Sequence, residues 1–235
     1  MKIGVVTFPG SNCDYDCYKA AREVLEAETV YLWHGDHDLK GVDALFLPGG
    51  FSYGDYLRAG SIASLSPIMN EVRAFADAGG LVVGICNGFQ ILCEAGMLPG
   101  ALIRNRSLKF SSKVVHLRVQ QSVAPFTSAY EVGQVLRVPI AHGEGCYIAP
   151  DEELDLLEAE GGVIFRYCEA DGRITEAANP NGSARNIAGI INSGRNVLGM
   201  MPHPERAVDE LLGSVDGIGL FRSLAEHLVA SPSSS

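Results

Sequence analysis

The chain has 235 residues, 47% hydrophobic and 20% charged, with a formal net charge of −10. An acidic chain without a basic run cannot grip a phosphate backbone, which excludes nucleic acid as a partner. No stretch approaches the ~18 unbroken apolar residues of a membrane span, so no membrane partner is expected either.

In chain order, Lys2–Phe8 reads as a buried strand rather than a secretory signal. Asn12 or Asp14 is a helix cap for a helix running to about Ala27. Thr29–Trp33 and Val42–Leu47 read as strands, the latter closed by Pro48-Gly49-Gly50. A polar loop, Phe51–Gly60, follows. Ser66-Pro67 opens a helix to about Ala78. Gly79-Gly80 ends it before a fourth strand, Leu81–Ile85. A helix then runs from Cys86 to about Ala95. Apolar strands alternating with helices predict an α/β fold: an open, mostly parallel sheet covered on both faces.

Beyond Val114 the pattern changes to short segments separated by turns: Val114–Val119, Gln134–Val138, Val163–Tyr167, Asn186–Ile191 and Val197–Met201. These predict an additional antiparallel strand section in the second half. Gly217–Leu228 reads as a closing helix. The expectation is a single domain over residues 1–230, with Ser231–Ser235 a frayed tail.

Six cysteines (Cys13, Cys17, Cys86, Cys93, Cys146 and Cys168) form no C-x-x-C pair. With no histidine cluster at zinc spacing, the expectation is reduced thiols, no metal and a cytoplasmic location. Cys13 is expected to be packed rather than catalytic, and no role is read for Cys146.

The chemistry centres on Gly84-Ile85-Cys86-Asn87-Gly88. An apolar strand enters a cysteine flanked by glycines at both second neighbours, and a helix follows. This is the serine elbow G-x-S-x-G with a thiol in place of the hydroxyl. The helix N-terminus favours a thiolate there. A buried packing cysteine gives the same local pattern.

A nucleophile needs a base and an orienter. In Met201-Pro202-His203-Pro204-Glu205, proline biases His203 toward an extended conformation, in which residues i and i+2 share a face. Glu205 then holds the His203 tautomer; a surface turn with solvated side chains is the alternative. An oxyanion hole is available from the backbone N–H of Asn87 and from the Gly49-Gly50-Phe51 loop, unless the latter is an ordinary tight turn. His142, in Ile140-Ala141-His142-Gly143-Glu144-Gly145, is a further site candidate because its glycines permit close approach of a ligand. His34 and His37 read as solvated, and His116 and His227 as structural.

Together Gly84–Gln90, Pro48-Gly49-Gly50 and His203-Pro204-Glu205 resemble the class I (triad) glutamine amidotransferases. Four further blocks narrow the resemblance: Phe8–Asp14, Gly49–Asp55, Pro139–Gly145 and Asn179–Ser183. They are similar to those of the small glutaminase subunits of phosphoribosylformylglycinamidine synthase. The resemblance implies glutamine as substrate, Cys86 as nucleophile, His203 as base, Glu205 as orienter, and Gly50, Phe51 and Asn87 at the oxyanion, with Gln90 fixing the substrate. It implies no cofactor on this chain. ATP and magnesium are expected on a partner synthetase subunit that receives the ammonia, with a third small subunit left open. A subunit serving a different synthetase, or a non-catalytic regulatory subunit on the same fold, are the alternatives.

Overall fold

The computed structural model describes residues 1–122 and 125–230; the tail expected over Ser231–Ser235 lies outside them. The elements run β1 (Lys2–Thr7), α1 (Asp14–Val24), β2 (Glu28–Trp33), β3 (Ala44–Leu47), α2 (Ile68–Asp77), β4 (Leu81–Ile85) and α3 (Asn87–Glu94). There follow β5 (Ala101–Ile103), β6 (Ser111–Val119), β7 (Val135–His142), β8 (Cys146–Ile148), α4 (Asp151–Ala159) and β9 (Val163–Cys168). The chain closes with β10 (Ile187–Ile191), β11 (Val197–Met200) and α5 (Ile218–Ala230).

Nine strands form one sheet in the order β2-β1-β3-β4-β11-β10-β9-β6-β7. The first five are mutually parallel and the last four join by antiparallel pairing. The antiparallel section is thus an extension of the parallel sheet, with one change to the expectation. The strand Val197–Met200 does not sit among the antiparallel strands. It pairs in parallel with β4 at the centre of the sheet, Gly199 beside Gly84 and Met200 beside Ile85. An apolar run of four or five residues carries no record of its partner's direction, so pattern alone grouped it with its sequence neighbours. A separate two-stranded pair, β5 with β8, and the helix α4 have no counterpart in the sequence reading.

Alternation along the strands decides which helix covers which face. Leu47, Gly84 and Gly199 lie in register and point to one side, where α3 packs: a Cβ placed on Gly199 would meet the Phe89 ring, and one on Gly84 would meet Leu92 at 2.5 Å. Phe46 points to the other side and stacks on Phe221 of α5 at 5.5 Å between ring centroids. The strands β1, β3, β4 and β11 are almost wholly buried, Val5, Leu45, Val83 and Leu198 completely so. Helix α1 begins at Asp14, with Cys13 in the cap position and no side-chain cap bond, and ends at Val24 rather than near Ala27.

Candidate active site

Ligands of open parallel sheets bind beyond the carboxyl ends of the strands. Here four adjacent strands deliver their following loops to one place. β1 supplies Phe8–Cys13, β3 supplies Gly49 and Gly50, β4 supplies Cys86, and β11 supplies His203 and Glu205.

Cys86 adopts φ 51° and ψ −104°. A non-glycine residue in that region carries strain of order 1–3 kcal/mol and is held there only by its surroundings. The Cys86 amide donates to Met200 O at 2.7 Å, and its carbonyl accepts from Gln90 N at 3.1 Å. The elbow is therefore locked to β11 on one side and to the first turn of α3 on the other. Gly88 lets α3 approach so closely that any Cβ there would collide with the Leu47 carbonyl. The Cys86 thiol, 4% exposed, faces Ala141 O at 3.7 Å.

His203 and Glu205 are both buried. His203 N donates to Pro139 O at 2.8 Å, which ties the segment to β7. His203 Nδ1 and Glu205 Oε1 are 2.6 Å apart, while His203 Nε2 has no protein partner. Burial alone would push the His203 imidazole down. The Glu205 carboxylate, with Cys86 and Cys13, outweighs it and holds the ring well above its ordinary value. The two side chains meet as expected, but not through an extended segment: Pro204–Arg206 form a 3-10 turn with His203 in the cap position, and Glu205 reaches back to the ring from inside that turn.

Gly49 sits inside this group. A Cβ on it would lie 2.7 Å from His203 Cε1, 3.1 Å from Cys13 Sγ and 3.4 Å from Cys86 Cβ. Gly50 has φ 141°, a conformation that glycine adopts freely. Asn87 opens α3, where the first N–H groups have no intrahelical acceptor. The amides of Gly50 and Asn87 are the candidate oxyanion donors. Phe51 is not: its N–H donates to Gly10 O at 3.1 Å, and its ring lies by Phe110 at the surface.

Residues 1–217 match the model of the CobB/CobQ-like glutamine amidotransferase domain. The chain belongs to that family. A Moorella thermoacetica relative named phosphoribosylformylglycinamidine synthase subunit PurQ is 58% identical over 226 residues, 96% of each chain. A Koribacter versatilis protein of the same name is 56% identical over 224 residues, 95% of this chain and 97% of its own. Among solved structures, a chain of PurLQS from Thermotoga maritima superposes with a TM-score of 0.86 at 44% identity, covering 97% of this chain and 98% of that one.

For an amidotransferase of this family, the remaining expected residues fall in two places. Gln90 lies one turn into α3, its amide donating to Glu144 O at 2.6 Å and its carbonyl accepting from Asn87 Nδ2 at 2.9 Å. His142 lies behind the site. Its ring meets Asn105 Oδ1 at 3.1 Å and Asn181 Nδ2 at 3.4 Å. Burial, with the nearby His203 second, lowers it to about 4, so it stays neutral and props the loop that carries Ala141 and Gly145.

Sequence reasoning missed Cys13 and Arg206 as members of the group. Arg206 Nη2 reaches Cys13 Sγ at 3.0 Å and Nε reaches Asp16 Oδ2 at 2.9 Å, joining the His203 segment to α1. The signal available was adjacency, since Arg206 follows Glu205 directly. Among the described residues, one grouping has metal-like spacing, Cys13, His203 and Glu205. Its imidazole and carboxylate are the hydrogen-bonded His203–Glu205 pair, and the Arg206 guanidinium on Cys13 repels a cation.

Proposed function

We propose that this chain is the glutaminase subunit of phosphoribosylformylglycinamidine synthase, working in the cytoplasm. The observation that carries the reading is the buried Glu205–His203 pair beside an elbow-mounted Cys86. Full-length similarity to proteins named as the PurQ subunit supports the choice of synthase.

Cys86 Sγ attacks the side-chain amide carbon of glutamine, and its proton goes to His203 Nε2. The raised value of His203 favours the form in which that proton already resides on the ring. Glu205 fixes the tautomer through Nδ1 and stabilises the imidazolium. The amides of Gly50 and Asn87 hold the oxyanion of the tetrahedral intermediate. Its collapse expels ammonia, protonated by His203, and leaves a γ-glutamyl thioester on Cys86. Water, deprotonated by His203, attacks the thioester carbonyl and releases glutamate. The ammonia passes to a synthetase subunit, which binds ATP and magnesium and converts formylglycinamide ribonucleotide to formylglycinamidine ribonucleotide. The PurLQS assembly of Thermotoga maritima supports a complex in which a further small subunit takes part.

The test is Cys86→Ala in the reconstituted complex. Glutamine-dependent synthesis falls by about 10³-fold or more, while synthesis from added ammonium persists. Equal loss of both activities would sink the nucleophile assignment.

A further inference from the structure

One hydrogen bond holds the His203 ring. Nδ1 is fixed by Glu205 at 2.6 Å, while Nε2 has no protein partner. Gly49 borders Cε1 without a side chain to press on it. A base that must keep one nitrogen on its nucleophile needs a second restraint, against tilting about that bond. Resting on the glutaminase reading, we propose that Cys13 is a positioning residue for the reaction: its thiol, clamped by Arg206, is the stop that keeps the His203 ring turned toward Cys86.

The sulfur stands where such a stop has to be. Cys13 Sγ, one ring nitrogen of His203 and one carboxylate oxygen of Glu205 all lie within 4.8 Å of one another. A Cβ on Gly49 would meet His203 Cε1 at 2.7 Å and Cys13 Sγ at 3.1 Å, so the ring and the thiol border the same small space. Cys13 is 4% exposed, which shields that contact from solvent. Against burial, which pushes the ring down, Cys13 joins Glu205 and Cys86 in holding it up.

The thiol is itself held in place. It donates to Asn12 Oδ1 at 3.3 Å and accepts from Arg206 Nη2 at 3.0 Å, and the Cys13 amide donates to Gly49 O at 3.3 Å. Arg206 carries the restraint into the scaffold. Its Nε reaches Asp16 Oδ2 on α1 at 2.9 Å, and it follows Glu205 directly in the 3-10 turn Pro204–Arg206. One guanidinium thus ties together the turn that carries Glu205, the thiol beside the ring and helix α1. A fork of fixed N–H donors can bridge two acceptors in this way. The acyl-transfer steps use neither the thiol nor the guanidinium, and holding the base is the work that their contacts allow.

The experiment measures glutamine-dependent kcat and KM in the assembled complex carrying wild-type chain, Cys13→Ala, Cys13→Ser or Arg206→Met, each checked for assembly by gel filtration. Cys13→Ala removes the stop. A misaligned base loses rate rather than affinity, so kcat falls by about 10- to 100-fold while KM stays within about 3-fold of wild type. Cys13→Ser keeps a donor and an acceptor at the same place and recovers kcat to within about 5-fold of wild type. Arg206→Met keeps the stem, unclamps the thiol and lowers kcat by about 10-fold; it decides the matter if Cys13→Ala does not assemble. A kcat within about 3-fold of wild type in assembled Cys13→Ala or Arg206→Met overturns the proposal. So does a loss confined to KM, or a serine variant no better than alanine. With glutamine hydrolysis intact in wild type, those outcomes remove this inference alone. A wild-type complex that does not hydrolyse glutamine removes the glutaminase reading, and this inference with it.

Discussion

His203 and His142 are buried within one site, yet their environments bias them in opposite directions. For His203, burial is outweighed by the Glu205 carboxylate and the two thiols, and its value in the fold is raised. Its contribution to stability is then complete below the ordinary imidazole value of about 6.5 and is lost as pH rises through the raised one. For His142, burial and then the nearby His203 outweigh the upward pull of a backbone hydrogen bond, and its value falls to about 4. The unfolded chain binds this proton first, so the stability contributed by the neutral ring is lost as pH falls from about 6.5 toward 4. Imidazole ¹⁵N shifts followed through a pH titration should show His203 still charged at a pH where His142 is neutral; the reverse order would contradict the assignment. Glu205→Gln keeps an oxygen that can face Nδ1 but removes the carboxylate charge that stabilises the imidazolium. The expected result is a loss of about 10²- to 10⁴-fold in glutamine-dependent kcat, together with a flatter urea midpoint on the alkaline side. The contact of this pair was legible because the two residues are only two apart, although Pro204–Arg206 form a 3-10 turn rather than the extended segment expected. Cys13 was out of reach for the opposite reason. Its place beside His203 depends on Arg206, 193 positions away, and no local pattern records such a contact.

The elements matter here through their ends. β4 lies between β3 and β11, so Cys86, the Gly49-Gly50 loop and His203 leave neighbouring strands. Helix α3 must press against β3 to place Asn87 and Gln90, and Gly88 is where it does so. Gly88→Ala forces a methyl group onto the Leu47 carbonyl. Overpacking of this kind costs about 1–3 kcal/mol, which for a chain of this size lowers Tm by several degrees. It should also displace Cys86, so glutaminase activity should fall much further than the stability loss explains. Full activity in a folded Gly88→Ala protein would show that the close approach of α3 is not needed for the elbow. The strands β1 to β4 and their helices were legible because each combines an apolar run with a breaker: Pro48-Gly49-Gly50 after β3, Gly79-Gly80 before β4. β11 was seen as a strand but misplaced, since its direction relative to β4 is settled by side chains on α3 and by the turn at Asn192–Asn196. There Asn192 Oδ1 accepts from Val197 N at 2.9 Å, and Asn196 Nδ2 donates to Ala76 O at 2.7 Å. α4 escaped notice although Pro150 precedes an acidic first turn of Asp151, Glu152 and Glu153, because its buried face is only Leu154 and Leu157.

At the scale of the whole molecule, one sheet runs unbroken from β2 to β7. β11 makes the parallel and antiparallel halves interdependent, since it pairs with β4 on one edge and β10 on the other. Calorimetry on the isolated chain should therefore give one cooperative transition over residues 1–230; two resolved transitions would mean that the antiparallel half is a separate unit. Acyl-transfer chemistry was readable from the elbow and the histidine segment. The pathway it serves was readable only from resemblance in blocks elsewhere in the chain, because the triad is indifferent to where the ammonia goes. The point where those blocks meet carries a genetic consequence. Gly49 has space for a hydrogen and nothing larger between Cys13, Cys86 and His203. It exchanges no proton and forms no bond with substrate, yet every missense change of its codon inserts a carbon into the catalytic group. In a saturation screen for growth without supplied purines, position 49 should be as intolerant as the nucleophile itself.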